Sequence, residues 1–151
     1  LQLSLNVIAR LSQIRCRDNE IYIVENPSVF AMICEEKSCM CMNGQPRLSC
    51  LMVLELLAGS GTHVFYSGDL DPEGMLIAQK LSRFYPGRFT YWHMAEEDYK
   101  VCQSQEILSE RRLKMLEKIT DERLLPVVNN MVRCRKAGYQ ENLHWCSLDM
   151  Q

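Results

Sequence analysis

Apolar positions follow two rhythms along this chain. Short apolar or aromatic-rich runs at Ile21-Tyr22-Ile23-Val24, Cys39 to Met42, Thr62 to Tyr66 and Arg88 to His93 predict strands, and stretches with helical spacing lie between them. Proline and glycine punctuate the changes. Pro27 suits a first helical turn, ahead of a short apolar helix from Val29 to Cys34. Asn43-Gly44-Gln45-Pro46 turns the chain into a helix over about 47–58, which Gly59-Ser60-Gly61 stops. Pro72-Glu73-Gly74 opens a helix that runs to about Tyr85, where Pro86-Gly87 ends it. Strand–helix alternation of this kind predicts an α/β fold: a Rossmann-like parallel sheet of about four strands, wrapped by helices. Before it, Leu5, Ile8, Leu11 and Ile14 share one face of a helix predicted over 4–14, with Ser4 as its cap. After Ala95 the rhythm turns purely helical, with charged amphipathic helices predicted over 106–118 and 121–136, broken near Pro126. A short irregular or helical tail follows from Gly138.

The expected organisation is a helix or linker over 1–15 joined to a missing upstream domain, a core over 16–94, and a helical C-terminal extension over 95–151. A chain of 151 residues suits such a core with an extension. The start at Leu1, with no signal segment, leads us to expect a piece of a longer cytoplasmic protein. No apolar run approaches the roughly 18 residues of a membrane span, so no membrane partner is expected. Seventeen basic against nineteen acidic side chains give a charge of -2, which encodes no global attraction to nucleic acid. The basic clusters Arg111-Arg112-x-Lys114 and Arg133-x-Arg135-Lys136 read as solvated helix faces rather than phosphate contacts. Eight cysteines offer no C-x-x-C pair, and Cys39-x-Cys41 has no second close-spaced pair to complete a structural four-ligand set. Both facts argue against zinc. Most of the cysteines read as small buried hydrophobes in a reducing cytosol, with Cys134 and Cys146, beside His144, as the exceptions.

The chemistry concentrates at Asp69-Leu70-Asp71-Pro72-Glu73-Gly74, three acids within five residues at the end of a predicted strand. In α/β sheets the carboxyl edge of the strands is where ligands bind. The same grammar occurs earlier, where Val24-Glu25-Asn26-Pro27 runs a strand into an acid and a helix-starting proline. Were those two strands neighbours, Glu25 would meet Asp69 and Asp71. Ionised together without a counter-ion these carboxylates would repel one another and raise at least one pKa, which a hard oxygen-loving cation, Mg2+ or Mn2+, would relieve. Taken singly, each acid also reads as a turn, capping or helix-dipole residue. Asn26 and Gln45 lie in loops at the same edge and are candidates for bonding phosphate or water, or simply turn-forming amides. His93 reads as packed on Trp92 rather than substrate-bound, His63 as a surface strand residue, and the nine methionines as core fillers.

The ordered set Glu25-Asn26-Pro27, Asn43-Gly44-Gln45-Pro46 and Ser67-Gly68-Asp69-Leu70-Asp71-Pro72-Glu73-Gly74 resembles a Toprim domain, the metal-binding module of topoisomerases, DnaG-type primases and OLD-type nucleases. More narrowly it resembles the C-terminal domain of the JetD family, the nuclease subunits of Wadjet anti-plasmid systems, related to the topoisomerase VI A subunit. The resemblance covers about 16–94. It implies a Mg2+- or Mn2+-dependent DNA endonuclease in which Glu25, Asp69 and Asp71 are catalytic and, with Glu73, ligate the metal. Asn26, Gly44 and Gln45 become substrate contacts. The implied partners are double-stranded DNA, the missing N-terminal domain, a second protomer in a homodimer and SMC or condensin-like subunits. Two other readings stand beside it, a non-catalytic Toprim interaction or DNA-sensing module and a topoisomerase VI A-like cleavage subunit. Tyr66, Tyr85 and Tyr99 read as core or surface aromatics, so hydrolysis by water is favoured over tyrosine attack.

Overall fold

A computed structural model describes residues 4–143 and 145. Four parallel strands form the central sheet: β1 (Glu20–Val24), β2 (Cys39–Cys41), β3 (His63–Ser67) and β4 (Phe89–Tyr91), in the order β2-β1-β3-β4. Ile21, Tyr22, Ile23 and Val24 are all buried, as a strand covered on both faces requires. The chain steps from β1 to β2 on one side and then returns to lay β3 on the other side of β1, pairing Val24 with Ser67. Strand order therefore reverses between β1 and β3, which opens a crevice at their carboxyl ends.

Local chemistry builds the connecting helices. Asn26 caps α2 (Pro27–Ile33) by accepting from the Ser28 N–H at 2.8 Å, with Pro27 in the first turn. α3 (Leu48–Gly59) joins β2 to β3, and Asp71 caps α4 (Pro72–Phe84) through the Gly74 N–H. The core elements thus lie within one or two residues of where the apolar rhythm places them, and the fold is a Rossmann-like α/β sheet flanked by helices. At the N-terminus, by contrast, the helix expected over 4–14 shortens to one turn, α1 (Leu5–Ile8). Only Ile8 is buried there, and a helix without a packed face is not held in water.

The region after Ala95 differs most from expectation. It holds α5 (Glu96–Cys102), a strand β5 (Gln103–Ile107), α6 (Glu110–Met115), α7 (Leu125–Cys134) and a strand β6 (Lys136–Gly138), so the purely helical extension is corrected to a mixed one. β5 and β6 pair antiparallel. Residues 106 and 107, expected in a helix, belong to β5, while Pro126 sits in the first turn of α7 and starts that helix rather than breaking it. The β5–β6 ribbon is stapled to the acidic loop by paired backbone bonds between Leu70 and Gly138, 2.8 Å each way. Buried Gln79 of α4 binds the 118–121 segment through Lys118 O, Thr120 N and Asp121 N. One apolar cluster runs from Ile21, Leu54 and Met75 into Leu108, Leu116 and Met131, so the extension shares the core of the sheet. None of the seven α-helices among the described residues is long and apolar enough to cross a membrane.

Candidate functional site

Glu25 leaves β1 at the crevice and turns back over the neighbouring strand, where the Tyr66 hydroxyl donates to its Oε1. Space for the carboxylate exists because residue 68 is glycine. A Cβ there would lie 2.6 Å from Glu25 Oε1 and 2.8 Å from the Tyr66 oxygen. Burial pushes the Glu25 pKa up to about 7; the Tyr66 hydrogen bond opposes that shift, and the charges of Asp69 and Asp71 add to it. Tyr66 is fully buried and its own pKa is raised, first by burial and then by Glu25, so it stays a neutral donor.

Asp69 and Asp71 follow β3 on the loop that Gly138 staples. Asp69 Oδ1 accepts from the Gln140 N–H at 2.9 Å, and Asp71 Oδ1 accepts from Gly74 N–H at 2.7 Å. The turn is tight enough that a Cβ on Gly74 would fall on the Asp69 carbonyl oxygen, well inside contact distance. Burial raises both aspartate pKa values, and each backbone N–H only partly offsets it. Arg112 of α6 reaches across to the same loop. Its Nη2 lies 2.7 Å from Asp71 Oδ2, its Nε and Nη2 grip Glu73, and Nη1 pairs with Glu106. Partial burial would raise the Glu73 pKa, but the Arg112 bonds overcome it and hold the carboxylate below its usual range.

Glu25, Asp69 and Asp71 thus share one sheet edge, whereas Glu73 faces Arg112. Asn26 caps α2, donates through Nδ2 to Glu141 at 2.9 Å, and gives its backbone N–H to Gln140 Oε1. Gly44, at φ +94, and exposed Gln45 lie in the β2–α3 loop and make no side-chain hydrogen bond among the described residues. His93 packs on Trp92 as expected, its ring 4.9 Å from the indole, but Asp98 rather than backbone satisfies Nδ1 at 3.0 Å. Tyr66, Tyr85 and Tyr99 are all core residues. The seven described cysteines are free; His144 and Cys146 lie outside the described residues.

Among the described residues no group of three or more His, Cys, Asp or Glu side chains is spaced to hold a metal ion. A smaller donor set is available. Glu25 and Asp69 each use one oxygen and keep the other without a partner among the described residues. Mg2+ often takes only one or two protein carboxylates and keeps its waters. Two carboxylate oxygens are of the hard type such an ion takes, whereas a four-acid cage does not form because Asp71 already accepts at both oxygens and Glu73 is bound to Arg112. Two polar atoms at this edge, Ser67 Oγ and Gln140 Nε2, are buried without a partner among the described residues.

Tyr66, Arg112 and Gln140 belong to the site although their residue types did not mark them as such. Strand parity alone offered a hint for Tyr66, since the residue before Ser67 shares a face with Ile23 rather than Val24. For Arg112 and Gln140 the contacts span 41 and 71 residues, and no local pattern announces them. No curated protein is similar enough to this chain to count as a match. The sequence profile of one family does match, over residues 1–145, nearly the whole chain, and the chain therefore belongs to the family described as protein of unknown function C-terminus (DUF2399).

Proposed function

We propose that this domain is the Toprim-type catalytic part of a DNA endonuclease, similar to the JetD C-terminal domain, that hydrolyses phosphodiester bonds with Mg2+ or Mn2+ in an anti-plasmid defence complex. The observation that carries the reading is the placement of Glu25, Asp69 and Asp71 at the carboxyl edge where strand order reverses between β1 and β3, with the charges of both aspartates raising the Glu25 pKa. A divalent ion between Glu25 and Asp69 would offset the negative charge that develops on a phosphoryl group. In the reaction, water attacks phosphorus, forming one P–O bond as the bond to the leaving sugar oxygen breaks. A carboxylate of the edge accepts the water's proton, and the leaving oxygen takes up another from solvent. Gly68 and Tyr66 hold the Glu25 carboxylate against the β3 edge, while the Gln140 N–H orients Asp69. Double-stranded DNA, a second protomer, the upstream domain and condensin-like subunits in the cytoplasm complete the proposal.

The test is plasmid cleavage by the full-length protein with its partner subunits. Glu25→Gln, Asp69→Asn and Asp71→Asn are each expected to reduce the rate by about 100-fold or more. Undiminished cleavage by all three would end the nuclease reading. A second reading, a non-catalytic interaction module, draws support from the Arg112 clamp, which gives Asp71 and Glu73 a structural partner. It expects full activity from those variants and reduced assembly from Arg112→Gln.

A further inference from the structure

We propose that His93 is a catalytic residue of this site, the general acid that hands a proton from solvent to the leaving sugar oxygen. This role rests on the phosphodiester-cleaving reading above, in which that proton comes from solvent with no residue assigned to carry it.

His93 follows the end of β4 by two residues. The Trp92 N–H continues the β3–β4 ladder by donating to Tyr66 O at 2.7 Å, which sets His93 beside the Ser67-Gly68 end of β3, with roughly 5 Å between the two backbones. Gly68 is the residue whose missing Cβ makes room for Glu25. A second route leads to the aspartate. The imidazole packs 5.0 Å from the Trp145 ring, Trp145 Nε1 donates to Gln140 O at 2.8 Å, and the Gln140 N–H holds Asp69 Oδ1. His93 therefore stands at the same carboxyl edge as Glu25 and Asp69, one strand over.

Backbone and ring are both held. The φ of His93 is +52, a left-handed conformation that costs energy in any residue other than glycine, persists where the surroundings over-determine it and clusters at functional sites. Nδ1 lies 3.0 Å from Asp98 Oδ1, while Asp98 Oδ2 accepts from the Ala95 N–H at 2.9 Å. Burial would raise the Asp98 pKa, but the His93 hydrogen bond and the Ala95 N–H overcome it and hold the carboxyl below its ordinary value. An ionised carboxylate only accepts, so Nδ1 carries a hydrogen toward Asp98 and Nε2 is left as the working nitrogen. Nε2 has no partner among the described residues, and the side chain keeps 21% of its surface open. A carboxylate that fixes the ring through Nδ1, stabilises the imidazolium and leaves Nε2 free makes a proton carrier. Packing on Trp92 alone requires neither the left-handed backbone nor the carboxylate.

In the step, the bond from phosphorus to the leaving oxygen breaks with its electron pair going to oxygen, and that oxygen takes the Nε2 proton. His93 becomes neutral, keeps its Nδ1 hydrogen on Asp98 and regains the Nε2 proton from solvent.

The experiment uses the full-length protein with its partner subunits and two plasmids, one ordinary and one in which sulfur replaces the leaving oxygen at a mapped cut. A leaving thiolate needs no proton, so only the oxygen linkage depends on a general acid. His93→Asn, chosen because asparagine tolerates the left-handed backbone, is expected to cut the oxygen linkage about 100-fold more slowly and the sulfur linkage at the wild-type rate. An equal loss on both linkages, or no loss on either, overturns the role of His93 and leaves the nuclease reading standing, provided that Asp69→Asn abolishes cleavage. Undiminished cleavage by Asp69→Asn brings down the nuclease reading and this role together. Should His93→Asn not fold, Asp98→Asn is read on the same two plasmids: a loss confined to the oxygen linkage upholds the proposal, and any other result overturns it.

Discussion

Glu25 and Glu73 both stand where a strand hands over to a helix, yet the protein drives their protonation in opposite directions. Glu25 is enclosed by burial, a neutral phenol and two other acids, and its pKa rises to about 7. Glu73 sits in the first turn of α4 against Arg112, and its pKa falls. The position at the sheet edge supplies the carboxylate, and the partner delivered by the rest of the chain decides its charge. That difference divides the site into a half whose carboxylate is buried among other acids and a half whose carboxylate is held by Arg112.

The largest effect is expected from Glu25→Gln in metal-free buffer. Glu25 releases its proton near 4.5 in the unfolded chain and near 7 in the folded one, so the folded state binds the extra proton between these values. Its stabilising contribution is present in full below pH 4.5 and is lost as pH rises through 7. The variant removes this slope and becomes more stable than wild type at pH 8, by up to about 3 kcal/mol, in urea denaturation followed across pH. A wild-type stability that is flat between pH 4.5 and 7 would erase the contrast between the two glutamates.

Next in size is Gly74→Ala, whose Cβ runs first into the Asp69 backbone and then crowds the capping Asp71 carboxylate. We expect a loss of about 1–3 kcal/mol by the same measurement, because relief requires the whole acidic turn to shift. Tyr66→Phe sharpens the comparison without moving the backbone. It removes the one contact that lowers the Glu25 pKa, so carboxyl titration by NMR should place that pKa above its wild-type value, at a cost of about 1 kcal/mol where Glu25 is ionised. Gly68→Ala should act the other way, turning the carboxylate into solvent and returning its pKa toward the ordinary range.

Smallest is Glu73→Gln. A lowered pKa means that its contribution is present above the ordinary 4.5 and lost as pH falls through the folded value. With a side chain 43% exposed, the pair is screened by solvent, and the variant should lose less than about 1 kcal/mol at pH 7 and progressively less as pH falls through the folded pKa. A loss that does not change with pH would show that packing, not charge, holds Glu73.

Legibility differs along the chain in the same way. The four parallel strands and α2, α3 and α4 could be read directly, because each is announced by neighbours in sequence, an apolar run, Asn26 before Pro27, or Asp71 before Pro72. β5 could not, since Gln103-Ser104-Gln105-Glu106-Ile107 has no alternating apolar face and even Ile107 is exposed. Its partner β6 has three residues, and α5 is a short acidic helix that buries only Tyr99 and Cys102. Such elements draw their stability from where they dock rather than from their own pattern.

By itself the sequence determined the sheet, the helices that alternate with it and the placement of Glu25, Asp69 and Asp71 at strand ends, because periodicity, capping and turn chemistry act within a few residues. Tertiary structure alone decided that β1 and β3 are neighbours, that Tyr66 and Gly68 enclose Glu25, and that Arg112 claims Asp71 and Glu73. Those outcomes depend on burial and on charges brought together across 39 to 41 residues of chain, and both desolvation and Coulomb energy follow distance in space, not position in sequence.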